Sequence, residues 1–181
     1  LQLNQSERIG SLSGGGASGG NVNLQANTLT VGNAANQTYA GVMSGTLGAL
    51  TKVGTGSLSL TAQQTYTGPT IVSQGSMTLD WVNPGSYDDS VIARDLTIGP
   101  GASVHLARSG QFGYPAHAET ITLNGGSLTS ATGIYNYMSH MVLSDGASVT
   151  FATGGFSGIA NFGSTITSLA SATGSTISGG T

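Results

Sequence analysis

The chain of 181 residues carries 30 glycines, no cysteine and only 6% charged residues, for a net charge of -3. That composition excludes a disulfide framework and a cysteine-based zinc site, and its four scattered cations (Arg8, Lys52, Arg94 and Arg108) form no basic stripe for nucleic acid. An apolar fraction of 38% at so low a net charge argues against disorder, and no run of about 18 apolar residues is present to cross a membrane as a helix.

Residues 1–10 lack the charged, apolar and small regions of a signal peptide. The chain begins and ends in repetitive sequence, so the expectation is a piece of a longer protein, with 1–181 forming one segment. From there the pattern is one of short alternating runs. Val22-Asn23-Leu24 and Leu29-Thr30-Val31 place apolar side chains on one face and a small polar residue on the other. Residues 41–80 are the most regular part. Runs at 50–53, 57–60, 70–73 and 77–79 are separated by turns on Gly54, Gly56, Gly68 and Gly75. Each run is too short to bury itself, and no window sustains helical spacing without a glycine.

Further along, Leu96-Thr97-Ile98-Gly99-Pro100-Gly101-Ala102-Ser103-Val104 is similar to Val142-Leu143-Ser144-Asp145-Gly146-Ala147-Ser148-Val149. Ile121-Thr122-Leu123-Asn124-Gly125-Gly126-Ser127-Leu128 lies between them. These copies recur roughly every 20–25 residues, a period suited to one rung of a solenoid. One rung cannot cover its own apolar face, so stability must come from stacking. The predicted fold is all-β: a right-handed parallel β-helix with loops on one side and no substantial α-helix. Roughly eight rungs at about 4.8 Å each give a rod on the order of 40 Å long.

Gly41-Val42-Met43-Ser44-Gly45, Leu50-Thr51-Lys52-Val53-Gly54-Thr55-Gly56-Ser57-Leu58-Ser59-Leu60, Thr65-Tyr66-Thr67-Gly68-Pro69-Thr70-Ile71-Val72 and Gly75-Ser76-Met77-Thr78-Leu79 follow one another in order. In this order they resemble the autotransporter-associated β-strand repeat of Gram-negative passenger domains. Gln64 stands where that repeat usually has Asn, and Pro69 where it commonly has Gly. The best match spans 41–80, and the rest resembles passenger rungs only generically. The resemblance implies a stalk exported across the outer membrane and displayed by a C-terminal β-barrel in the full-length protein, without membrane insertion of this segment. Within the repeat, Gly54, Gly56 and Gly68 are expected to supply turn conformations that a Cβ hinders. Tyr66 is expected to lie over a rung edge. Lys52 is expected to hold its ammonium outside with its stem against the stack.

Catalytic arrangements find little support. His105, His117 and His140 are present, but no Gly-Asp-Ser-Gly or G-x-S-x-G nucleophile accompanies them. Asp88 and Asp89, with Arg94 and Asp95 nearby, leave open a carbohydrate-active groove or a Ca²⁺ loop, with a solvated loop as the plainer reading. No enzyme activity, cofactor or metal is expected. Residues 151–162 are Gly-rich and aromatic, fitting a wide turn or another rung.

Three non-repetitive segments, 81–94, 107–119 and 131–141, follow strands at about the rung period. They hold Trp81, Tyr87, Phe112, Tyr114, Tyr135 and Tyr137. Tyr and Trp give large contact area at low entropy cost, which suits recognition of a host or bacterial surface protein or glycan, or self-association. The alternative is that these rings fold back over the rod or pack one segment on another, and a further reading is an inert stalk that presents a distal effector.

Overall fold

A computed structural model describes residues 1–16, 19–82, 90–92, 94–112, 120–136, 138–152, 165–170 and 173–179. The strands among them are β1 (Glu7–Ile9), β2 (Val22–Asn23), β3 (Thr28–Val31), β4 (Gln37–Tyr39), β5 (Met43–Gly45), β6 (Ala49–Lys52), β7 (Ser57–Leu60), β8 (Thr65–Tyr66) and β9 (Thr70–Val72). They continue as β10 (Ser76–Leu79), β11 (Leu96–Ile98), β12 (Ser103–Leu106), β13 (Thr120–Asn124), β14 (Ser127–Ser130), β15 (His140–Ser144), β16 (Ser148–Phe151), β17 (Thr165–Ser168) and β18 (Thr176–Gly179). No helix occurs among the described residues.

The strands stack into three parallel sheets. The first has eight strands in the order β1-β3-β6-β9-β11-β13-β15-β17. The second has seven, β18-β16-β14-β12-β10-β7-β4, and the third has three, β2-β5-β8. Through β10 the chain visits the sheets in turn, and from there its strands alternate between the first and second, each circuit returning one layer further on. This is the parallel β-solenoid expected from the alternation, and the strands fall where the apolar runs predicted them.

Register explains the core. Leu29 pairs with Leu50, Leu50 with Thr70, Thr70 with Leu96, Leu96 with Ile121 and Ile121 with Met141. On the second sheet Leu58, Met77, Val104, Leu128 and Val149 form the matching inward row. All of these are buried. Each such side chain contributes about 2 kcal/mol by leaving water, but only because the next layer covers it. A slip of one residue would turn every row outward. One outward row of the second sheet is Ser57, Ser76, Ser103, Ser127 and Ser148, all small and uncharged. At the last layer the inward-facing Ile166 and Ile177 are 43% and 46% exposed, because no described strand lies beyond β17 and β18.

Three expectations are corrected here. Lys52 does not reach outward. It occupies an inward position between Val31 and Val72 and is 1% exposed. Its ammonium donates to the carbonyls of Val53, Gly54 and Gln74 at 2.7, 2.9 and 3.3 Å. Three donors meet three acceptors, so the charge is satisfied inside the corner without a carboxylate. Burial pushes its pKa down. Tyr66 is likewise inside, 1% exposed, not draped over an edge. Its hydroxyl lies 2.5 Å from that of Thr70, the polar member of an otherwise aliphatic row. Each hydroxyl thus satisfies the other's burial. Finally, only Gly54 among the three repeat glycines has a left-handed backbone, with φ of 71°. Gly56 is required by close approach, since a Cβ there would sit 2.1 Å from the Ala35 carbonyl oxygen. Gly68 is similar, 2.5 Å from the Gly48 oxygen.

Candidate functional site

The third side of the solenoid changes character along its length. Between β7 and β9 it is built by β8, which completes the small sheet β2-β5-β8. Beyond that, no described strand joins this sheet, and the described residues that follow β10, β12 and β14 take its place in the circuit. These lie in the aromatic segments singled out in the sequence. Backbone bonds carry the ladder across the change: the Gln64 N–H donates to the Val91 carbonyl at 3.0 Å, and the Val91 N–H donates to the Gln111 carbonyl at 2.9 Å.

Buried amide side chains hold this corner together. Gln64 is 1% exposed; its Oε1 accepts from the Met43 N–H at 2.8 Å, and its Nε2 donates to the carbonyls of Ala62 and Gly41. Gln111 is fully buried and clamps Trp81 from both directions. Its Oε1 accepts the Trp81 N–H at 3.0 Å and its Nε2 donates to the Trp81 carbonyl at 3.0 Å. Asn136, 1% exposed, accepts the Gln111 N–H and donates to the Arg108 carbonyl at 3.0 Å. The Gly110 N–H then donates to the Tyr135 carbonyl, and the Tyr135 N–H to the Ser109 hydroxyl. Segments from three consecutive layers are thereby stitched into one surface.

On that surface the predicted residues have different fates. Trp81 is half-buried, with its ring packed against the core. Tyr135 is 59% exposed. Phe112 is 2% exposed and belongs to the core, so its ring is covered. Tyr87, Tyr114 and Tyr137 lie outside the described residues, as do Asp88, Asp89 and His117. The Gly-rich segment after Phe151 also lies largely outside them. The structure therefore brings Trp81 and Tyr135 to the same side, two layers apart, about 10 Å along the axis. Beside them Arg108 Nε donates to Asp80 Oδ1 at 2.5 Å, an ion pair between adjacent layers.

Of the residues considered for chemistry, Asp95, His105 and His140 each have a hydrogen-bond partner among the described residues. The Asp95 carboxylate accepts the Thr120 N–H at 2.8 Å. His105 Nδ1 lies 2.9 Å from the Thr129 hydroxyl on the second sheet, and His140 Nδ1 lies 3.0 Å from the Thr165 hydroxyl on the first. No group of three or more metal-ligating side chains occurs among the described residues. The sequence reading missed Gln111, Asn136 and the Asp80–Arg108 pair. A signal for the amides existed: Gln64, Gln111 and Asn136 each stand a few residues past the last inward position of a second-sheet strand.

Residues 50–79 match the family model described as the passenger-associated-transport-repeat. This segment is an autotransporter passenger repeat. The repeat runs from β6 to β10 and contains the Lys52 corner, the Gln64 amide and the Tyr66–Thr70 pair. It is a structural repeat and not a known enzyme family. Passenger repeats imply surface display or secretion across an outer membrane, with a C-terminal β-barrel in the full-length protein. Comparison with curated proteins and with solved structures found no match.

Proposed function

We propose that this chain is a single solenoid segment of a passenger that makes adhesive contacts through its third side, by shape and without chemistry. The observation that carries this reading is the clamp of Gln111 on Trp81 and of Asn136 on Gln111, with Tyr135 exposed beside them. Buried amides of this kind fix the backbone that carries Trp81 before a partner arrives, and a surface ordered in advance loses little entropy on contact. The partner is a protein or glycan of a host or bacterial surface, or a second passenger. The low charge of the chain means that raising salt should change attachment little.

The test is attachment of cells displaying the passenger, or of the purified chain to cells, with Trp81→Ala and Tyr135→Ala singly and together. Loss of attachment by folded variants is expected. Attachment at the level of the unaltered chain overturns the reading.

A further inference from the structure

A shallow open groove of about 430 Å³ lies on the outer face of the small third sheet. Its floor is a grid set by the strand register. Asn23 pairs with Ser44 and Ser44 with Thr65. Two residues further along each strand direction stand Gln25, Thr46 and Thr67, which also line the groove. The six side chains are all neutral, and each amide or hydroxyl both donates and accepts. Asn23 Oδ1 accepts the Gln25 N–H and Thr67 Oγ1 accepts the Leu47 N–H.

We infer that this groove binds a neutral polysaccharide strand lying along the solenoid axis. The inference rests on the adhesive reading above and names its ligand class. Three observations select this occupant. The lining carries no formal charge, so an anionic polymer gains nothing there. Of the four cations, Lys52 is buried, Arg108 is paired with Asp80, and the exposed Arg8 and Arg94 do not line the groove. A peptide added as an extra strand cannot pair directly with Asn23 or Gln64: Gln2 bridges to Asn23, and the Gln64 N–H is bonded to Val91. A hydroxyl-rich chain, by contrast, can donate to and accept from every position of a grid that repeats at the layer spacing of about 4.8 Å. Further along the same side, Trp81 and Tyr135 offer rings for the apolar faces of sugars, so one extended ligand can span both regions.

The experiment is affinity electrophoresis of the purified chain in gels containing a soluble β-glucan, a mannan or a dextran as neutral polymers, and alginate or dextran sulfate as acidic ones. Retardation by at least one neutral polymer and by neither acidic polymer is expected. The combined variant Ser44→Ala, Thr46→Val, Thr65→Val removes three hydroxyls from exposed or half-exposed positions, and circular dichroism checks its fold. It should bind the neutral polymer roughly tenfold or more weakly, a change well outside the error of the method. Unchanged binding by this variant overturns the groove, as does retardation by acidic polymers alone or by none. If Trp81→Ala and Tyr135→Ala abolish cell attachment while the groove variant binds polymer normally, the inference fails and the adhesive reading stands. If the groove variant loses polymer binding while the aromatic variants attach normally, the adhesive reading fails.

Discussion

The backbone N–H of Gln111 donates to the side-chain oxygen of Asn136 at 2.6 Å, one layer of the solenoid reading the next through a buried amide. Asn136 in turn donates to the Arg108 carbonyl, so one side chain satisfies two main-chain groups of a turn that no strand pairing could reach.

Replacing Asn136 by Ala strands both groups and should cost about 1–3 kcal/mol. The chain has a single tryptophan, Trp81, and it hangs on the same network through Gln111. Gln111→Ala should therefore shift Trp81 emission to the red and increase its quenching by acrylamide, in a protein whose far-ultraviolet spectrum is unchanged. A Trp81 signal identical to that of the unaltered chain would mean that the clamp does not order the ring.

Two glycines separate two kinds of constraint. Gly101 has a φ of 69° with open space around the missing Cβ, so Gly101→Ala should cost only about 1 kcal/mol, the price of the backbone conformation. Gly56 has an ordinary backbone, but its Cβ would meet the Ala35 carbonyl of the preceding layer. Gly56→Ala must push two layers apart and should cost about 3 kcal/mol, at the upper end of over-packing penalties. Urea unfolding of both variants measures the contrast; equal midpoints would contradict it.

Alkaline pH should weaken the fold through the buried phenols. Burial raises the pKa of Tyr39 and, more strongly, of Tyr66 above the ordinary 10.0. Below that value the unfolded phenols are also neutral and the contribution is complete. As pH rises past it, the unfolded chain ionises first and stability is lost. Tyr66→Phe should flatten this decline in urea midpoints measured from about pH 9 to pH 11. A variant that declines as steeply as the parent would reject the assignment.

Lys52 works in the opposite sense. Its folded pKa lies below the ordinary 10.5, so in the interval between the two the unfolded chain holds the proton more tightly. Stability should rise with pH through that interval. Lys52→Met should remove this contribution, so that its urea midpoints fall more steeply than the parent's as pH rises towards 10.5; identical pH profiles for the two would show that the three carbonyls fully offset the loss of hydration.

Much of the architecture was legible because alternation in short runs has one physical solution. Leu58-Ser59-Leu60 and Val149-Thr150-Phe151 cannot cover themselves, and the repeated Gly-Ala-Ser-Val at 101–104 and 146–149 even aligns the layers as the strand pairing does. Lys52 was misread because a cation is ordinarily placed outward; its inward seat is tolerable because the turn carbonyls of Val53 and Gly54 meet the Gln74 carbonyl of the next layer at its ammonium, and that last contact is tertiary. Phe112 and Tyr135 are both aromatic residues of non-repetitive segments, yet one is core and the other exposed. Composition cannot separate them, because the decision lies in which backbone the amides of Gln111 and Asn136 hold.

The pairing of Leu29 with Leu50, alongside that of Val22 with Met43, means that circuits sharing a strand on the third side present matching inward rows to one another. Copying or excising one complete circuit joins surfaces that already fit, so the reach of such a projection can be lengthened or shortened by duplication of a short stretch of gene without redesigning any contact.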